Sequence, residues 1–219
     1  MRPMRKEDIG QVKEIDREVF PTQWPAPNYR RELQNPLARL IVAYDAAKTR
    51  EEPEVKASPE KGISGLAAKL RRWLHLDRFF NNELSTSGRQ YVLGFASIWV
   101  MADEAHLTNI AVRKHHQRQG IGELLLISII DLAAQLKANI ITLEVRASNT
   151  MAQSLYHKYG FTQTSVRPGY YTDNREDALL MSTESITTAP FQSRFQRLKR
   201  AHYRKYGMGN NPLAEISAR

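Results

Sequence analysis

The apolar positions of this chain change period several times. From Lys6 to Phe20, Ile9, Val12, Ile15, Val19 and Phe20 share one side of a helix, which predicts a first amphipathic helix. The proline-rich run Phe20-Pro-Thr-Gln-Trp-Pro-Ala-Pro27 must end it. A short helix over Asn28–Gln34 and a strand over Leu37–Tyr44 are expected next. Tyr91–Met101, rich in β-branched and aromatic residues, and Ala105–Val112 read as further strands. Gly120–Leu136 carries the clearest helical spacing, with Ile121, Leu124, Leu125, Ile129, Leu132, Ala133 and Leu136, and reads as strongly amphipathic. Asn139–Val145 is mostly apolar, as a strand buried on both faces would be. A helix over Thr150–Tyr159 is stopped by Gly160, and Phe161–Arg167 and Ala178–Thr183 complete the strands. Helices interleaved with strands predict an α/β fold: a mixed, twisted sheet with helices on both faces.

Two stretches fall outside this pattern. The insertion, residues 46–89, opens with a charged segment over Ala46–Gly62 that holds Pro53 and Pro59 and reads as a linker. It continues as an amphipathic segment over Lys61–Phe80. Ile63, Leu66, Ala67, Leu70, Trp73 and Leu74 share a face, and Lys61, Lys69, Arg71, Arg72 and Arg78 lie elsewhere against Asp77 alone. Such a helix suits packing on its own domain, or contact with an anionic membrane or a partner. The second stretch is the C-terminal extension, residues 185–219, with Arg194, Arg197, Lys199, Arg200, Arg204, Lys205 and Arg219 against Glu215 alone. It reads either as a solvated tail or as a contact for ribosome, RNA or anionic membrane. The division is therefore a catalytic domain over residues 1–184, carrying the insertion, and a basic extension.

The net charge is +9 and there is no cysteine. Absence of cysteine excludes disulfides, Cys-ligated zinc and a cysteine acyl-enzyme. His106, His115, His116 and His157 have no metal-ligand spacing, so no metal is expected. Without an apolar leader or an uncharged run of about 18 residues, a cytoplasmic protein is expected.

The candidate chemistry begins at His106-Leu-Thr-Asn-Ile-Ala-Val112 followed by Gln117-Arg-Gln-Gly-Ile-Gly122. A strand feeding a glycine-opened helix offers free backbone N–H groups at the positive end of a helix dipole, a site suited to phosphate. The run fits neither a Walker A loop nor the Gly-x-Gly-x-x-Gly dinucleotide fingerprint. Gly120 and Gly122 have no Cβ to hold a phosphate away. Downstream, Glu144 interrupts an apolar strand and is a candidate base; Arg146, two residues along, is its simplest ion-pair partner. Asn149 is a good helix cap. Tyr156 lies at helical spacing from Ala152 and Tyr159 and suits either the core or proton donation.

The loop pattern Gln/Arg-x-x-Gly-x-Gly resembles the acyl-CoA loop of the GNAT superfamily of N-acetyltransferases. Leu143-Glu-Val-Arg-x-Ser-Asn149, Leu155-Tyr-x-x-x-Gly-Phe161, Gly169-Tyr-Tyr171 and Arg175-Glu-Asp-Ala178 resemble its bacterial branch of ribosomal-protein-alanine N-acetyltransferases. The resemblance implies acetyl transfer from acetyl-CoA to a protein N-terminal amine, that of ribosomal protein S18 in this branch. It implies that Ile110, Ala111 and Val112 offer backbone to the pantetheine, and that Arg118, Gln119, Gly120, Ile121, Gly122 and Glu123 cradle the pyrophosphate. Asn149 would hold the pantetheine arm, Glu144 would be the general base through water, and Tyr156 would protonate the leaving thiolate. With no cysteine, direct transfer in a ternary complex is expected. The alternatives are an enzyme of the same superfamily acting on a small amine or lysine, and a non-catalytic acyl-CoA-binding module on the ribosome. The loop at Pro21–Pro27 and the hairpin at Tyr170–Arg175 would form the substrate mouth.

Overall fold

The computed structural model describes residues 1–20, 27–50 and 89–207. The expected insertion helix over Lys61–Phe80 and the loop at 21–26 lie outside them. The chain forms two compact units, one of Met1–Asp45 with Val92–Arg219 and one of Ala46–Tyr91. Of the second, only the end of one strand and the start of the next are described.

The elements are β1 (Arg2–Pro3), α1 (Ile9–Val19, led by a 3-10 turn Lys6–Asp8), α2 (Tyr29–Glu32), β2 (Ala38–Arg50), β3 (Arg89–Met101), β4 (Glu104–Val112), α3 (Ile121–Gln135), β5 (Ile140–Arg146), α4 (Thr150–Lys158), β6 (Phe161–Tyr171), β7 (Glu176–Thr183) and α5 (Ala189–Tyr206). The sheet order is β1-β2-β3-β4-β5-β7-β6. β4 and β5 run parallel, while β1–β2, β3–β4, β5–β7 and β6–β7 are antiparallel.

The strands alternate between two cores. Leu40 and Val42 of β2 pack with Val12, Ile15, Tyr29 and Phe95 under α1 and α2. Ile41 and Ala43, on the other face, join Leu125, Ile129, Phe191 and Phe195 under α3 and α5. This is the mixed sheet with helices on both faces that the pattern predicts.

Four expectations change. Helix α3 is buried nearly all round, from Leu124 through Ile130, so it is a central helix and not an amphipathic one. β5 alternates, with Ile141, Leu143 and Val145 buried and Thr142, Glu144 and Arg146 on a half-open face. β2 runs to Arg50, several residues into the stretch expected as a linker. The extension is not a solvated tail over its first part: residues 189–206 form α5, with Phe191, Phe195, His202 and Tyr203 buried. Phe191 and Phe195 belong to the main core, and Lys199 pairs with Asp131 of α3 at 2.5 Å. Aromatic residues at i, i+4 and beyond provide the apolar stripe, while Arg197, Arg200, Arg204 and Lys205 are exposed.

Candidate active site

The site lies where β4 parts from β5. Their parallel register runs from Glu104↔Ile140 to Leu107↔Leu143. Beyond it β4 keeps its β3 partner, as far as Val112↔Gly94. The β3–β4 register shifts between Ser97 and Ile98, whose partners are Asn109 and Leu107, so Thr108 is the extra residue of a bulge. Ser97 Oγ and Thr108 Oγ1 lie 2.6 Å apart. The bulge reverses which face each residue takes: Leu107 points to the main core and Ala111 to the other. Ile110, Ala111 and Val112 thus follow the divergence, on a strand with one side released from β5.

Val112 leads to the loop. Gln117 Nε2 donates to the Val112 carbonyl at 3.1 Å, and Gln119 Nε2 to that of His115 at 3.2 Å. Arg118 is exposed, sits at φ 64°, and reaches Met151 Sδ of α4 at 3.2 Å. Gly120 caps α3 at φ 82°. The first backbone N–H groups of α3, from Ile121, Gly122 and Glu123, have no carbonyl inside the helix to receive them. A Cβ on Gly122 would meet only Val112 Cγ2 at 3.7 Å, so the space there is open to a ligand. Gly120 differs: its Cβ position is already filled by α5.

Glu123 turns inward. Oε1 accepts from Lys158 Nζ at 2.5 Å and from the Tyr159 hydroxyl at 2.7 Å, and Oε2 lies 3.4 Å from His202 Nδ1. Burial opposes ionisation, but His202, Lys158 and Tyr159 outweigh it and bring the carboxyl down to about 2. The side chain therefore ties α3 to α4 and α5, and only its backbone is left for a phosphate.

Glu144 sits mid-β5. Oε2 is 3.0 Å from His106 Nε2, and Oε1 accepts from Arg167 Nη1 of β6 at 2.8 Å. The expected Arg146 partner is not used: Arg146 is clamped by Asp173, Asn174 and Glu176, with its guanidinium 3.9 Å from the Tyr171 ring centroid. His106 was not among the expected site residues. The Thr142 hydroxyl gives its single proton to Glu104 Oε1 at 2.5 Å, so its oxygen accepts from His106 Nδ1 at 2.8 Å. Both ring nitrogens face oxygen atoms, Thr142 Oγ1 on one side and Glu144 Oε2 on the other. The signal was available: two adjacent parallel strands place His106 opposite Thr142, beside Glu144. The His106 hydrogen bond, opposed by partial burial and aided by the charges of His106 and Arg167, holds Glu144 below its ordinary range.

Tyr156 of α4 is 5% exposed, packs in the main core and lies 5.6 Å from Phe161, ring to ring. Burial, and then the neighbouring Tyr171, push its phenol up and keep it protonated. Asn149 Oδ1 accepts from Ala152 N at 3.1 Å as the cap of α4. Tyr170 and Tyr171 meet edge to face beside the β6–β7 turn, with ring centroids 5.3 Å apart.

A strand leaving its parallel neighbour, a glycine-opened helix at its end and a carboxylate on the neighbouring strand define an acyl-CoA-dependent acyltransferase. The acetyltransferase (GNAT) family profile matches residues 50–161. The chain is 31% identical over 182 residues to a Bacillus subtilis protein provisionally named a ribosomal protein bS18-alanine N-acetyltransferase, covering 83% of this chain and 92% of that one. It is 43% identical over 108 residues to the enzyme of that name from Escherichia coli K12, covering 48% and 72%. The crystal structure of the ribosomal-protein-S18-alanine N-acetyltransferase from Escherichia coli superposes with a TM-score of 0.59 at 26% identity, covering 85% of this chain and 93% of that one. The chain belongs to the GNAT acetyltransferase family and is an acetyl-CoA-dependent N-acetyltransferase.

Proposed function

We propose that the enzyme acetylates the N-terminal alanine of ribosomal protein S18, with Glu144 as general base and Tyr156 as general acid. The substrate reading is supported by its relatives, whose names carry that reaction. The observation that carries the mechanism is the Glu144 carboxylate held by His106 and Arg167 on the half-open face of β5, with the buried Tyr156 phenol on the helix that follows. Acetyl-CoA supplies an activated thioester. The released side of β4 at Ile110–Val112 binds its amide-bearing arm, and the N–H groups at the start of α3, with Arg118, hold its pyrophosphate. Asn149 fixes the start of α4 as a cap and reaches the arm through its remaining amide capacity.

A peptide α-amine, with a pKa near about 7.7–8.0, is partly neutral at physiological pH. Its nitrogen becomes strongly acidic as the C–N bond forms, so a carboxylate of low basicity can take the proton through water. His106 and Arg167 fix the direction of that carboxylate. As the C–S bond breaks, Tyr156 gives its proton to sulfur. The test is mass-spectrometric acetylation of a peptide panel beside free lysine and polyamines. Preference for an S18-like peptide starting with alanine is expected; faster turnover of a small amine overturns the substrate assignment.

A further inference from the structure

Helix α5 packs directly against the loop assigned to the pyrophosphate. A Cβ on Gly120 would lie 2.4 Å from Tyr206 Cζ, a distance real Cβ atoms do not show, and 3.0 Å from His202 Cε1, a tight contact. The two rings pack on each other, with centroids 4.7 Å apart, and fill the space under the glycine. His202 is buried, and among the described residues neither of its ring nitrogens has a hydrogen-bond partner. Nδ1 stands 3.4 Å from Glu123 Oε2. That leaves Nε2 buried with no partner, and the ring stays packed against the loop despite it. The helix is held in place by Phe191 and Phe195 in the main core and by Lys199 on Asp131.

We infer that Tyr206 and His202 of α5 are positioning residues for acetyl-CoA: from beneath Gly120 they hold the loop in the left-handed turn that aims the N–H groups of α3 at the pyrophosphate. Residues 189–206 are thus part of the cofactor site, and not an appendage to it. The inference rests on the loop being the pyrophosphate cradle. Neither side chain touches the reacting atoms, so chemistry is left alone and binding is changed.

The experiment measures CoA affinity by calorimetry, KM and kcat for acetyl-CoA and peptide, and melting midpoints. Tyr206→Ala frees the loop to sample other turns, which costs on the scale of ordering one or two side chains, or about tenfold in affinity. Acetyl-CoA KM should rise by that factor, with kcat at saturation and peptide KM unchanged. Tyr206→Phe should behave as wild type, because the ring does the work. Tyr206→Leu carries the same test with more retained volume should the alanine variant not fold. Arg204→Ala, on the exposed side of the same turn, should change nothing. Wild-type or tighter CoA binding by Tyr206→Ala overturns the inference, as does an equal rise in peptide KM. Gly122→Val separates the two levels: if it too leaves CoA affinity intact, the cradle reading fails; if it alone abolishes binding, only the role of α5 fails.

Discussion

Glu144 and Tyr156 are treated in opposite ways by their surroundings. The carboxyl is held ionised by His106 and Arg167, and the phenol is kept protonated by burial. Glu144→Gln should lower kcat/KM by about 10²–10³, within the usual range for a general base, with partial recovery at high pH as the amine deprotonates unaided. Tyr156→Phe keeps the ring in the core and should lower kcat without altering CoA affinity. Wild-type rates for both variants across pH 6–9 would refute the pair. His106→Ala gives a signed test. With Glu144 as the base, activity should be lost as pH falls through its pKa. That pKa is depressed in the wild type, so the loss falls below the ordinary carboxylate range near about 4.3. Removing His106 takes away the largest cause of the depression, so the acid limb of kcat/KM should move to higher pH. A limb that stays in place would leave His106 with no part in tuning the base.

The two loop glycines, alike in sequence, part company in structure. A Cβ at Gly122 meets no protein atom closer than ordinary contact, so Gly122→Val should fold and lose CoA binding, read by calorimetry. Gly120→Ala adds a side chain at φ 82° against Tyr206. Left-handed strain of about 1–2 kcal/mol and overpacking of about 1–3 kcal/mol should lower its denaturation midpoint even without ligand. Phe195→Ala empties a core position that is 3% exposed and should cost about 3–5 kcal/mol in chemical denaturation. These contrasts mark the limit of what pattern reading can reach. From Lys6 to Thr183 the order of strands and helices was legible because most segments have a marked apolar pattern and a breaker after it, whereas β1, two residues long, has no period to read. Glu144, Tyr156 and the glycine loop stand out as candidates in the sequence because their spacing matches a known arrangement. Helix α5 was not legible because Phe191, Phe195 and Tyr203 are interleaved with so many cations that the apolar stripe is narrow. The Glu144–His106 pair was missed because it spans β4 and β5, and sequence distance hides a parallel register. The inward turn of Glu123 was missed because all three of its partners come from other helices.

Across the whole molecule the formal charge is +9. Part of it forms a described surface: Arg197, Arg200 and Arg204 lie exposed on α5, spaced to fall on one face, and the helix contains no acidic residue. Among the described residues no helix is long and apolar enough to cross a membrane. Changing the three arginines to glutamine should leave peptide acetylation intact and weaken co-sedimentation with ribosomes at low salt, since phosphate contacts are steeply salt-dependent. Equal sedimentation of both proteins would mean that the stripe is merely solvated. The attachment of α5 to the loop also orders events during biosynthesis. A chain folds from its N-terminal side as it is made, and α5 emerges after every other described element. Until α5 is made, the core beneath the sheet lacks Phe191 and Phe195 and the loop lacks the rings beneath Gly120. A product truncated before Ala189 would keep Glu144 and Tyr156 but lack the packing beneath Gly120 and the core contacts of Phe191 and Phe195, and should bind acetyl-CoA weakly, so that full use of the acetyl-CoA pool would wait on the synthesis of α5.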